Sequence, residues 1–488
     1  MSAAALAQAG AVLGGAGFVA LAVAPGRTVR LAGLTAWVLG MGLFLPLLTP
    51  SGREVRLLGL GVVGLAGAVG LAVVFRRWPW ALAFLALAAA PARFPVQVGD
   101  TSANLLLPLY AVVAGAALAL AWSLWRDEQR APELGLVAPP LSLLTFWFCV
   151  TLLWSDNVRD GSITLFFFVL PFSLLALALA RLPWSRRTTA FLYVELAAMA
   201  LVFAAVGIGQ WLTRDVFWNP KVIVANAYAP FYRVNSVFWD PSIYGRFLVI
   251  AILVSLAVLL FRAAPAVRWE LAIGALIVAL WVGLIFSFSQ SSFAALAAGV
   301  VLTASFAWRW RAAAAVAVVA AVMIPVGIAS PQLHNVRSSL VGSSASGINR
   351  ATSGRFKLVK NGLAIAADHP LAGVGLGGFQ QAYAERLHLR RGSPRGASHN
   401  TPVTVLAETG AVGFALFLWL LAAAAVLAFR GNGGVGRPAA RTAVIAGIAF
   451  VAIVVHSQFY NAFFEDPLTW GLLALAALAA RARELQLA

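Results

Sequence analysis

Apolar residues in this chain run unbroken for long stretches and stop at short polar breaks, without the alternation of strands or the single apolar stripe of soluble helices. The runs fall near 3–24, 31–49, 57–75, 78–92, 103–125, 137–154, 162–180, 188–212, 244–261, 270–288, 293–307, 312–329, 402–429, 442–460 and 467–480. A membrane-crossing helix needs about 20 such residues. The pattern therefore predicts an all-α, polytopic transmembrane helical bundle of about 12–15 spans. The run 78–92 is short and flanked by Pro79, Pro91 and Pro95, and reads as re-entrant. Polar sequence fills 330–400, which reads as a helical extracytoplasmic cap built from one large loop. The organisation is then 1–329 as membrane helices including a loop at 213–243, 330–400 as the cap, and 401–488 as the last membrane helices.

Composition agrees. Of 488 residues, 61% are hydrophobic and 11% charged, and the mean hydropathy of +0.89 excludes a soluble domain of this length. The lone Cys149 lies in an apolar run, which excludes disulfides and thiolate metal sites. The first run lacks a basic flank and a cleavage site and reads as a first span.

Charge orients the bundle. The formal net charge is +18, with 35 Lys and Arg against 17 Asp and Glu. Short loops carrying Arg126 and Arg130, Arg181 with Arg186 and Arg187, Arg262 with Arg268, Arg309 with Arg311, Arg430 with Arg437 and Arg441, and Arg481 with Arg483 read as cytoplasmic. The loops 156–161, 213–243, 330–400 and 461–466 then share the other side. Long loops cross largely regardless of charge, so the basic loop 330–400 needs a functional explanation. It holds Arg337, Arg350, Arg355, Lys357, Lys360, Arg386, Arg390, Arg391 and Arg395 against Asp368 and Glu385. A cationic loop at a membrane surface that closes on a histidine points to chemistry on an anionic, lipid-borne substrate.

Within that loop Gly354-Arg355-Phe356-Lys357 opens a helical pattern with Leu358, Leu363 and Ile365 as its apolar face. A helix start with two cations is an anion site. The segment Asp368-His369-Pro370-Leu371-Ala372-Gly373-Val374-Gly375-Leu376-Gly377-Gly378-Phe379 lacks a preceding strand and a Gly-Lys-Ser, so it reads as a tight turn between helices and not as a nucleotide loop. His369 reads as a helix end. His399 precedes Asn400-Thr401-Pro402, with Thr401 as N-cap and Pro402 at the first helical position. The helix dipole there favours a neutral imidazole that can accept a proton. Glu408, two turns on, predicts an inward polar contact. In the loop 227–244, Tyr232 and Arg233 stand among aromatics, and Asp240 and Pro241 start a helix. The polar break Ser287-Phe288-Ser289-Gln290-Ser291-Ser292-Phe293 reads either as a cavity lining or as a hydrophilic turn. His456, late in an apolar run, reads as a supporting group. No cluster has metal-ligand spacing.

These motifs together resemble the O-antigen ligase and O-antigen polymerase superfamily. The resemblance rests on Arg233 with Asp240-Pro241 and Tyr244-Gly245, on Arg355 with the helix after it, on Asp368 to Gly375, and on His399-Asn400 with Leu406-Ala407-Glu408-Thr409-Gly410-Ala411-Val412-Gly413. It covers roughly 200–470. One departure is Ser291-Ser292-Phe293, where many ligases carry an arginine; Arg355 or Lys357 would then supply that charge.

The resemblance implies a membrane glycosyltransferase of the GT-C-like group. It would move a glycan from a polyprenyl (undecaprenyl) diphosphate carrier to a hydroxyl of a glycan, lipid or protein acceptor. Implied with it are a bacterial inner membrane setting, a site on the extracytoplasmic face, and no metal, cofactor or nucleic acid. His399 would be the base and Arg233 the diphosphate clamp, with inversion at the anomeric carbon. Arg355, Lys357, Tyr232, Asn400 and Glu408 would hold diphosphate or glycan. Two rivals are a transporter or flippase, which predicts mid-membrane carboxylates and repeat symmetry, and a non-catalytic polymer-binding scaffold.

Overall fold

The structure is a computed structural model that describes residues 1–49, 54–98, 101–126, 133–217, 219–228, 231–263, 266–308, 355–389, 398–430 and 436–485. Arg130, Arg309, Arg311, Arg337, Arg350, Gly354, Arg390, Arg391, Arg395 and the apolar run 312–329 lie outside these residues. The helices in chain order are α1 (Ala3–Val23), α2 (Arg27–Leu48), α3 (Glu54–Arg77), α4 (Ala81–Ala89), α5 (Leu107–Trp125), α6 (Ala138–Thr151), α7 (Val158–Thr164), α8 (Leu170–Ala180), α9 (Arg186–Thr213), α10 (Pro220–Tyr228), α11 (Pro241–Leu260), α12 (Val267–Ser287) and α13 (Gln290–Trp308). After the undescribed stretch come α14 (Arg355–Asp368), α15 (Phe379–Arg386), α16 (Thr401–Phe429), α17 (Pro438–His456) and α18 (Pro467–Leu485).

The protein is a polytopic all-α bundle. Among the described residues, 11 helical segments are long and apolar enough to cross a membrane. α7 and α8 form one of them, Val158–Ala180, through a π-helical turn at Leu165–Val169. Of the short run at 78–92 only the nine-residue α4 is helical; at 1.5 Å per residue it spans about 14 Å and cannot cross. A β-hairpin, β1 (Phe94–Val98) with β2 (Thr101–Leu105), occupies the start of the run expected to be helical from 103. There Phe94, Val96 and Val98 alternate with other residues at strand period. Glycines let α1 and α2 pack closely: a Cβ on Gly10 would stand 2.6 Å from the Gly40 carbonyl oxygen.

The arginine-poor loops gather at one end of the bundle. Ser155 Oγ donates to the Leu376 carbonyl at 2.8 Å, the Thr401 amide to the Ser457 carbonyl at 2.9 Å, and Arg233 Nε to the Ser287 carbonyl at 3.1 Å. The arginine-rich loops gather at the other end. Glu133, 2% exposed, accepts from Arg30 Nη2 at 2.9 Å and also from Arg181. Arg481 donates to the Ala180 carbonyl at 2.7 Å and Arg483 to the Arg430 carbonyl at 2.7 Å.

α14 and α15 pack on α16 through a small core of Ile365, Ala366, Phe379, Tyr383 and Ala407. Ile365 is buried as the sequence suggested, but Leu363 is exposed. The buried stripe follows Leu358, Gly362, Ile365 and Ala366, at helical spacing, and leaves Leu363 on the opposite side. α16 is broken at Gly410, whose φ of 65° and ψ of −169° only glycine adopts readily. The turn expected between 368 and 379 docks into this break. Val374 N donates to the Ala407 carbonyl at 3.0 Å, Gly375 N to the Glu408 carbonyl at 2.9 Å, and Ala411 N to the Pro370 carbonyl at 2.8 Å. A Cβ on Gly410 would lie 2.2 Å from the Leu371 carbonyl oxygen.

Two variants test these supports by thermal unfolding in detergent. Glu133→Ala leaves two cations beside an empty place, and is expected to cost about 3–5 kcal/mol. Gly410→Ala meets a forbidden backbone region and a clash together, and is expected to cost about 3 kcal/mol or more. A Tm within a degree of the parent for either variant would contradict that assignment.

Candidate functional site

Two loops and a helix start converge at the arginine-poor end. The first loop carries Arg233. Asn226 clasps its backbone from both sides, Nδ2 donating to the Arg233 carbonyl at 2.8 Å and Oδ1 accepting from the Arg233 amide at 3.0 Å. Gln210 of α9 holds Ser236 in the same two-sided way, at 3.0 and 2.7 Å. The Val234 amide donates to the Phe286 carbonyl at 3.1 Å. The Arg233 guanidinium, half-buried, uses Nε on the Ser287 carbonyl at the end of α12, and its two terminal nitrogens make no hydrogen bond with the described residues. The polar break after α12 is a buried cluster: Ser291 Oγ and Ser292 Oγ lie 3.0 and 2.8 Å from Ser289 Oγ.

The loop ends at Asp240, which caps α11 as expected: its carboxylate accepts from the Ser242 amide at 2.6 Å. That carboxylate is also the negative charge shared by Arg233, Arg355 and His399. Arg355 opens α14 close enough to Arg233 for the two guanidinium groups to repel, and makes no hydrogen bond with the described residues. Tyr460 also feels both Arg233 and Asp240. Burial, and then Asp240, push its phenol above its usual range, so it stays protonated as a donor.

His399 has a φ of 53°, a left-handed conformation rare outside glycine and asparagine. Its flanks explain why it holds. The N-cap of α16 is Asn400 and not Thr401: Asn400 Oδ1 accepts from the Val403 amide at 2.9 Å, while Nδ2 donates to the Gln458 carbonyl at 2.9 Å. The helix thus starts one residue earlier than expected, since asparagine caps better than threonine. Thr401, as first helical residue, bonds Ser457 through its amide and Asn461 through its hydroxyl at 3.0 Å. Ser398 Oγ accepts from the Asn400 amide at 3.1 Å. The imidazole is accessible, yet the surrounding loops crowd it. Desolvation first, and then the Arg355 charge, lower its pKa below the ordinary 6.5, with Asp240 opposing. The ring is neutral at physiological pH and able to accept a proton.

The structure therefore brings Arg233, Arg355 and His399 together around Asp240. The other expected site residues have the following surroundings. Tyr232 lies under the Arg214 guanidinium, 5.1 Å from the ring centre. Lys357 is exposed on α14. The Asn400 amide is engaged in capping. Glu408, buried, accepts from the Phe379 amide at 3.3 Å and holds the glycine turn. His456 is fully buried, its Nε2 3.0 Å from Ser291 Oγ and 3.2 Å from the Ser242 carbonyl oxygen. Nearly two turns along α11 from Asp240, Arg246 forms a buried ion pair with Asp466, Nε to Oδ2 at 2.7 Å. Sequence reading missed this pair and Tyr460; a charged Arg246 inside an apolar run was the available signal. No three metal-ligating side chains gather among the described residues.

Comparison with curated proteins found no match. Residues 275–418 match the family model described as O-antigen ligase. The match spans Arg355, His399 and Glu408, and the Arg233 loop lies before it. This match to residues 275–418, in a chain with 11 helical segments among its described residues long and apolar enough to cross a membrane, supports the resemblance to the O-antigen ligase and polymerase superfamily and a membrane enzyme of glycan transfer.

Proposed function

We propose that the protein transfers a glycan from a polyprenyl diphosphate carrier to an acceptor hydroxyl, as a ligase or polymerase, at the extracytoplasmic face of a bacterial inner membrane. The observation that carries this reading is the grouping of Arg233, Arg355 and His399 around Asp240. A leaving diphosphate gathers negative charge as the sugar departs, and fixed cations in a water-poor cleft stabilise that charge most. The two terminal nitrogens of Arg233 suit two parallel bonds to phosphate oxygens. Arg355, one helix start away, supplies a second cation, and stands in for the family arginine absent at Ser291-Ser292.

The acceptor needs a base that is unprotonated near neutrality. His399 takes the hydroxyl proton as the acceptor oxygen bonds to the anomeric carbon. The bond from that carbon to the diphosphate oxygen breaks, and its electron pair leaves with the diphosphate. Attack opposite to the leaving group inverts the anomeric centre. Asn400 and Thr401 position His399 by fixing its backbone, and Asp240 holds the two arginines at a workable separation. Glu408 acts at one remove, through the turn that fixes α14 on α16.

Purified protein given a lipid diphosphate-linked glycan, with and without a second acceptor, is expected to form product that thin-layer separation resolves. His399→Ala is expected to lower kcat by about 10²–10⁴. Arg233→Ala is expected to lower kcat/KM by about 10²–10³. Full transfer by the His399 variant would refute the assignment.

The pH profile gives a separate test. Because the folded pKa of His399 is lowered, activity is lost only as pH falls through a value below 6.5. Arg355→Gln removes a repelling charge, raises that pKa, and is expected to move the acid limb of kcat/KM upward. Asp240→Asn is expected to move it downward. A limb that stays fixed in both variants would assign the titration to another group.

A further inference from the structure

A long apolar groove of about 810 Å³ lies between α9 on one side and α17 and α18 on the other, with α11 as its floor. It is of the size that buries most of a small-molecule ligand. Leu196 and Leu201 of α9, Ile250 and Val254 of α11, and Leu472 and Leu475 of α18 line its length. These six side chains are apolar; Tyr193 of α9, which also lines the groove, spends its hydroxyl on Ser255 Oγ at 3.2 Å.

One end of the groove is different. It opens at the arginine-rich end of the bundle, opposite the site around Asp240. Arg186, exposed in the first turn of α9, and Arg441, half-buried in the first turn of α17, both line this mouth. They are close enough to repel one another. Trp184 lines the same mouth, and its indole N–H is buried without a partner among the described residues. α17 begins there with no side-chain cap, so its dipole adds to the positive potential. Trp80 and Trp269, each half-exposed at 50%, line the groove as well and have the amphipathic character of interfacial anchors.

We propose that this groove binds an anionic glycerophospholipid from the leaflet opposite the transfer site. Its phosphate sits between Arg186 and Arg441 with Trp184 donating, and its acyl chains run along α9 and α18. Charge complementarity selects this occupant. A zwitterionic lipid brings a cation to a mouth that already holds two, whereas an anionic headgroup relieves the repulsion between them. The apolar length takes the chains that the bilayer would supply in any case. The two cations at the mouth add the selectivity.

The site has a mechanical consequence. α9 faces lipid along much of its length and meets α17 across this groove. A bound lipid fills that gap. The far end of α9 carries Gln210, which holds the Arg233 loop through Ser236. A lipid at one leaflet thus braces the helix that positions a loop at the other.

Native mass spectrometry of the delipidated full-length protein tests the proposal. The probes are phosphatidylglycerol, phosphatidylcholine and undecaprenyl phosphate, added in turn at equal concentration. Phosphatidylglycerol is expected to be retained preferentially and to raise the Tm. Arg186→Gln combined with Arg441→Gln is expected to weaken that retention about thirtyfold, from roughly two surface charges lost. Arg186→Lys combined with Arg441→Lys keeps the charge and is expected to keep the preference, which separates charge from folding. Equal retention of phosphatidylcholine, or stronger retention of undecaprenyl phosphate, would overturn the proposal. So would a Gln variant that folds and keeps the parent's preference.

Discussion

The site depends on one interlock, the docking of the glycine turn 371–379 into the break in α16. At Gly410 the helix leaves its own hydrogen-bond ladder, and the Ala407 and Glu408 carbonyls lose their helical partners. In a bilayer no water replaces such partners, and each unsatisfied group costs several kcal/mol. The amides of Val374 and Gly375 supply the missing bonds. The turn can approach only because Gly375, at a φ of 87°, presents no side chain to Ser155. Break and turn therefore require one another, and Ser155 ties both to the end of α6. The short helical segment above the break, from Thr401 to Thr409, takes its direction from this interlock. His399 stands at its start.

The second constraint is electrostatic. Arg233 and Arg355 repel, and Asp240 offsets only part of their charge. The protein holds this arrangement with neutral hydrogen bonds: Asn226 fixes the Arg233 backbone, Gln210 the Ser236 backbone of the same loop, and the Ser287 carbonyl one edge of the guanidinium. A cleft assembled this way keeps a positive potential when empty. On the proposed reading, an arriving diphosphate would gain attraction without reorganising the arginines, which is the condition under which fixed charge accelerates departure of an anion.

Much of this was legible in the sequence, and the failures have physical reasons. Bilayer thickness imposes helix length, so apolar runs marked most spans directly. Asp240 before Pro241 announced a cap, and the glycine run announced a tight turn. The hairpin at 94–105 was hidden because five-residue strands leave little pattern, and its second strand abuts an apolar run. Thr401 was preferred as cap over Asn400 although asparagine is the stronger capping residue. Leu363 lost its expected burial to Gly362, because close approach to Val403 requires a residue without a side chain. The Arg246–Asp466 pair and the place of Tyr460 beside Asp240 join segments distant in sequence, and no local signal links them. Arg233 and His399 came from the family resemblance and their loop positions. That Asp240 would serve both as a helix cap and as their common counter-charge is a tertiary fact.

The two ends of the bundle use arginine differently. At the arginine-rich end, Arg30 and Arg181 converge on Glu133, and Arg481 and Arg483 donate to the carbonyls of Ala180 and Arg430. Those arginines bias orientation and close the ends of helices. At the other end the orientational bias acts against positive charge. Even so, among the described residues Arg355 finds no hydrogen-bond partner and the two terminal nitrogens of Arg233 find none. Cations kept where topology disfavours them, close to one another and short of partners, are explained by an anion that comes and goes. On the proposed reading that anion is the phosphate of a lipid-borne donor, and the neutral imidazole of His399 beside it would add transfer to binding.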